Sequence, residues 1–76
     1  MPERHTAAAS NEDYDLIETL HEKLQGIWRY DQFIADTQEA ELKQMFEQIK
    51  QDDMRHAHML EDAIKRRVME GKWPGR

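Results

Sequence analysis

Cysteine is absent from this sequence, which excludes a disulfide framework and any thiolate metal site. Proline occurs only at 2 and 74 and glycine only at 26, 71 and 75, so Asn11 to Glu70 contains a single helix-weakening residue. No apolar run approaches the roughly 20 residues of a membrane span. The opening MPERHTAAAS lacks the apolar stretch of a signal peptide. Positive charge is not in excess either. The formal net charge is −5 with both signs interspersed, which argues against nucleic acid, whose binders gather Lys and Arg on one face, and against an anionic membrane surface. There is no glycine-rich phosphate loop, and none of Ser10, Thr19 and Thr37 has a His–Asp pair placed for nucleophilic catalysis. These absences predict a soluble, cytoplasmic protein with neither nucleic acid nor membrane as partner. At 76 residues it is one small domain. Without staples it needs exceptional helix packing or a second copy to complete its core.

What is present is helix-forming. Ala, Leu, Glu, Lys, Gln, Met and Arg dominate Asn11–Glu70. Ser10 can cap a start, with Asp13 in the place of a capping-box acid. Lys65, Arg66 and Arg67 suit the negative end of a helix dipole, and Gly71 is a natural residue just beyond a helix end, with Pro74 after it. Hydrophobic phase separates two helices. Ile17, Leu20, Leu24, Ile27, Asp31 and Ile34 follow steps of three and four; Leu42, Met45/Phe46, Ile49, Asp52/Asp53, His56, Met59/Leu60 and Ala63 follow their own phase. The break falls between Asp36 and Glu39, where Asp36 or Thr37 can cap a new helix and Asp36 with Glu39 matches a capping box. The reading is all-α: a flexible segment 1–10, a helix over about 11–36, a second over about 38–70, and a loose tail 71–76, the helices forming an antiparallel hairpin that dimerises into a four-helix bundle. Trp28, Phe33, Phe46, Met45 and Met59 are read as core or interface, and Gly26 as a place of close packing beside Trp28.

One stretch breaks the apolar pattern. QDDMRHAHML at 51–60 sets Asp52, Asp53 and His56 between Ile49 and Leu60. A turn near 37–38 brings them level with Lys23, Glu22 and Thr19, beside His21. A buried carboxylate is costly unless a metal, an opposite charge or a hydrogen-bond network compensates it. Asp53-x-x-His56 puts carboxylate and imidazole one turn apart on a shared face, a donor set suited to iron, manganese or zinc. Di-iron carboxylate bundles use Glu-x-x-His pairs in this way.

RYDQ at 29–32, with His56 of DDMRHAHML 26 residues after Tyr30, resembles the short two-helix encapsulated ferritins. That family carries a Trp-Tyr-Asp-Gln segment and, at the same distance, Glu-Glu-x-x-His-Ala. The likeness spans roughly residues 20–62 without a gap. It implies two hairpins forming a four-helix ferroxidase site at their interface, iron as the metal, dimers assembled into rings, and an encapsulating shell protein as partner. By the same resemblance Asp53 stands for the glutamate ligand, His56 for the histidine, Tyr30 for the tyrosine near the site and Glu22 for an acidic residue at the iron entry. The sequence departs from the motif at three positions. Lys23 aligns with the bridging glutamate, Asp53 is one methylene shorter than Glu, and Arg29 replaces the tryptophan before the tyrosine.

Two functions therefore stand side by side. In the first, a ferritin-like metal site at the dimer interface is built from Asp53, His56, Asp52, Glu22 and His21, with Glu18 preceding His21 by one turn. In the second, no metal is held: Lys23 and Arg55 neutralise the aspartates, His56 hydrogen-bonds across the interface, and the buried charges fix the pairing register of a non-catalytic oligomer. The side chain of Lys23 decides between them. If it pairs with Asp52 or Asp53, the metal reading fails. Asp31 is expected to accept a hydrogen bond from the partner chain's Tyr30 or Gln32, and His58 to face outward. A third possibility is docking on a shell through GKWPGR, motivated by an exposed Trp73.

Overall fold

The computed structural model describes residues 10–75, and among them two antiparallel helices, α1 (Asn11–Asp36) and α2 (Ala40–Met69), pack as a hairpin. The start of α1 follows the predicted chemistry in its cap but not in its capping box, because the Asp13 carboxylate is taken by Arg67 and Gly75. Ser10 is the cap, and its Oγ accepts from the Asp13 N–H at 3.2 Å. The end of α2 is a Schellman motif: the Gly71 N–H donates to Val68 O and the Lys72 N–H to Arg67 O, with Gly71 at φ 74°. Between the helices the expected capping box does not form. Asp36 is the last residue of α1 and accepts from Gln32, while Glu39 precedes α2 with no side-chain cap. Thr37 Oγ1 accepts from the Glu39 N–H instead, so α2 begins at Ala40, two residues later than predicted.

Near the middle the helices meet at the expected level, Lys23 against Asp53. Elsewhere long basic side chains reach diagonally across, Lys50 to Asp31 and Arg67 to Asp13. The tail read as loose instead folds back: Gly71–Gly75 returns to α1, where the Gly75 N–H donates to Asp13. Residues 1–9, read as flexible, lie outside the described residues.

Packing divides the apolar stripe of α1 unevenly. Leu16, Leu20, Ile27 and Ile34 turn toward α2 and are half-buried, as are Leu42, Phe46, Ile49, Leu60 and Ile64 opposite. Ala57 is the only fully buried apolar residue among those described. Ile17 and Leu24, predicted to share one buried seam with these, are about half exposed, and Trp28 is 79 % exposed. The reason is angular. Ile17, Leu24, Trp28 and Asp31 recur at helical spacing on one flank of α1, where the Asp31–Lys50 pair closes one side of the hairpin. Lys23, Gly26, Tyr30 and Phe33 recur on the other flank, closed by Lys23–Asp53. Phe33 there packs on Tyr30 and on Phe46, with ring centroids 5.8 Å apart in each case. An apolar arc wider than one helix can cover leaves both sides of the hairpin partly apolar.

Candidate functional site

The polar interruption in α2 meets α1 on the Lys23 flank. Asp53, with 16 % of its side chain exposed, is the centre. Lys23 Nζ donates to its Oδ1 at 3.2 Å. Tyr30 lies about two turns further along α1, near enough to the same carboxylate for each group to shift the other's pKa. Gly26 lies between those two residues on α1. A Cβ built there would stand 3.9 Å from Asp53 Oδ2 and 4.0 Å from Tyr30 Cε2, so the bare backbone faces Asp53 and not Trp28, as the sequence suggested. His56 completes the group from α2, its Nδ1 3.4 Å from Asp53 Oδ1. That nitrogen is buried and not aligned for a hydrogen bond, so the contact is one of proximity.

Electrostatics follow from this arrangement. Burial pushes the Asp53 pKa up, but the hydrogen bond and charge of Lys23, together with Tyr30 and a lesser pull from His56, outweigh it and hold the carboxyl below its usual range. The Tyr30 phenol moves the other way, raised by burial and then by the charge and hydrogen bond of Asp53, against the opposing effect of Lys23. Asp53 is thus an anion at neutral pH with a resident cation and a resident phenol.

The other sequence candidates lie apart. Asp52 faces outward, accepting from Gln48 Nε2 at 3.2 Å and lying 3.6 Å from Arg55 Nη2. His21 is exposed, 3.9 Å from Glu18, and Glu22 is exposed beside it. Among the described residues no three His, Cys, Asp or Glu side chains gather as a metal would require. His58 is exposed as predicted and pairs with Glu61 at 3.3 Å. Asp31 was expected to await a partner chain. It is taken by Lys50 of its own chain at 2.6 Å, a contact that raises the Lys50 pKa. Within one chain the residues do not fit a di-metal centre, because the ammonium of Lys23 stands against the carboxylate that would be the ligand. Sequence reasoning named both members of one buried charged pair but missed the pairing. Asp13, read as a capping acid, is buried between Arg67 and Gly75; the arginine lies 54 residues along the chain and only the hairpin topology brings it near.

A helical hairpin of this kind, with an Asp-x-x-His pair on its second helix and a tyrosine on its first, resembles in architecture one half of a ferritin-type bundle. The family model described as EncFtn-like matches residues 2–72, and the chain belongs to that family. No curated protein and no solved structure matches it. No helix among the described residues is long and apolar enough to cross a membrane.

Proposed function

We propose that this chain is a non-catalytic ferritin-like hairpin that assembles with copies of itself, and that its Asp53–Lys23–Tyr30–His56 network sets helix register where metal-binding relatives of this architecture would hold iron. The observation that carries the reading is the Lys23–Asp53 pair at 3.2 Å. A lysine there supplies the positive charge that the carboxylate needs, and as an ammonium it cannot bridge metals. The partner is a second copy. Phe33, Met45 and Met59 are exposed on the network side, and Ile17, Leu24 and Trp28 on the other. A four-helix dimer that covers the first group leaves the second open, so covering both takes two kinds of contact between copies. A shell protein, which the family suggests, would have to use a surface other than the tail or displace it, since Trp73 is half-buried and Gly75 is bound to Asp13.

One observation favours a second reading, iron held by Asp53 and His56 of facing copies: the buried His56 Nδ1 has no hydrogen-bond partner and is free to act as a donor to a cation. Anaerobic Fe²⁺ titration by calorimetry separates the two. The register reading expects no stoichiometric uptake by the parent and a gain in Lys23→Glu, which restores a carboxylate beside Asp53 and His56. Uptake of one or two ions per pair of chains by the parent, lost in His56→Ala and kept in His58→Ala, would establish the metal reading instead.

A further inference from the structure

Asp13 is the one buried charged side chain among the described residues, 1 % exposed, and it lies in the first turn of α1, where a short hairpin ordinarily frays. Both of its carboxylate oxygens are used. Arg67 Nε donates to Oδ1 at 3.2 Å, and the Gly75 backbone N–H donates to Oδ2 at 2.5 Å. Arg67 Nη2 also lies 3.7 Å from Glu12. A buried carboxylate is costly unless it is paired and hydrogen-bonded, so losing either donor exposes the helix end to that cost.

The tail reaches Asp13 because the Schellman motif at Gly71 reverses the chain, which then runs back across the open end of the hairpin. Gly75 is closely packed there: a Cβ would stand 2.8 Å from Ser10 Oγ, 3.2 Å from Ser10 Cβ and 3.3 Å from the Lys72 carbonyl oxygen, so a side chain would have to displace the Ser10 cap. Ser10 in turn caps α1 through the Asp13 N–H. The cap, the buried acid and the tail form one contact between the two ends of the described chain.

We propose that Gly71–Gly75 is a strap that ties the end of α2 to the first turn of α1, in the role that a disulfide plays in other small domains. It holds the end of the hairpin opposite the Thr37–Glu39 turn, so that the two helices are closed at both ends. This stands apart from the register and metal readings, since Asp13 and Asp53 share no partner.

Backbone amide exchange tests it. In the chain truncated after Glu70, the amides from Tyr14 to Leu20 should exchange about tenfold faster, the factor that loss of a hydrogen bond to a charged group implies, with Leu42–Ile49 nearly unchanged. Truncation removes several residues at once, so Gly75→Ala is the sharper variant and should show the same local pattern. Adding Ser10→Gly, which removes the two nearest atoms that the new methyl meets, leaves only the Lys72 carbonyl at 3.3 Å and costs a cap little, should restore most of the slow exchange in the Gly75→Ala chain. Unchanged exchange at Tyr14–Leu20 after truncation would overturn the strap, as would acceleration spread evenly over both helices or a Gly75→Ala chain indistinguishable from the parent.

Discussion

Replacing Lys23 by methionine removes the ammonium facing Asp53 and keeps most of the aliphatic stem. Asp53 is mostly shielded, while about a third of Lys23 is exposed, and they are 3.2 Å apart. The pair therefore lies between an exposed ion pair, worth roughly 0–1 kcal/mol, and a buried one, whose breakage costs roughly 3–5 kcal/mol. Solvent at Lys23 discounts the upper figure, and a coupling of about 1–2 kcal/mol is expected. The measurement is urea unfolding of the parent, Lys23→Met, Asp53→Asn and the double variant at one fixed protein concentration, since assembly contributes to apparent stability. The pH dependence gives a second readout. The folded Asp53 pKa lies below its ordinary value, so its contribution is fully present above the unfolded pKa of about 3.9 and is lost as pH falls through the folded one. In Lys23→Met the raising effect of burial has lost its main opponent, and the acid-side loss should move to higher pH. A coupling below about 0.3 kcal/mol, within ordinary non-additivity, or an unmoved acid transition would refute the claim that Lys23 neutralises this carboxylate.

Gly26→Ala should stabilise the fold by about 0.5–1 kcal/mol in the same unfolding assay, because the methyl meets Asp53 and Tyr30 only at ordinary contact distance and removes a helix-interior glycine. Asp31→Asn should cost less than about 0.5 kcal/mol despite the short Lys50 contact, since Asp31 is well exposed and exposed ion pairs contribute little; a larger loss would mean that this side is covered by another chain. Light scattering should show Met59→Glu and Trp28→Glu, on opposite exposed sides, each reduced to a smaller species than the parent, since each removes one kind of contact; either variant as large as the parent would contradict two separate contact faces.

Most of the fold was readable because helix signals here are local. The Ser10 cap, the glycine at position 71 and the change of hydrophobic phase after Asp36 each rest on a few neighbouring residues, and each appears in the structure. The errors came where a local pattern had two outlets. Asp36 and Glu39 match a capping box, yet Asp36 completes α1 and the Thr37 side chain takes the turn's N–H, which delayed α2. The tail looked loose because glycine and proline carry no packing signal; what fixes it is an acid far along the chain, visible only once the hairpin sets the ends of both helices side by side.

The candidate site was legible by residue type and less so by direction. Spacing alone placed Asp53 and His56 one turn apart and the aspartates level with Lys23 and Glu22, and Lys23 and His56 both meet Asp53. Spacing could not say which of two adjacent aspartates turns inward. Asp52 and Asp53 differ by one helical step, enough to send the first to Gln48 and Arg55 at the surface and the second to Lys23 and Tyr30. Within one chain the polar break between Ile49 and Leu60 is thus one inward carboxylate with its cation. A metal would have to displace an ammonium already tethered to the opposite helix. Because that ammonium is part of the chain, it neutralises Asp53 in every copy, whether or not a second hairpin or any ion is present, and so it can define register from the moment the helices meet.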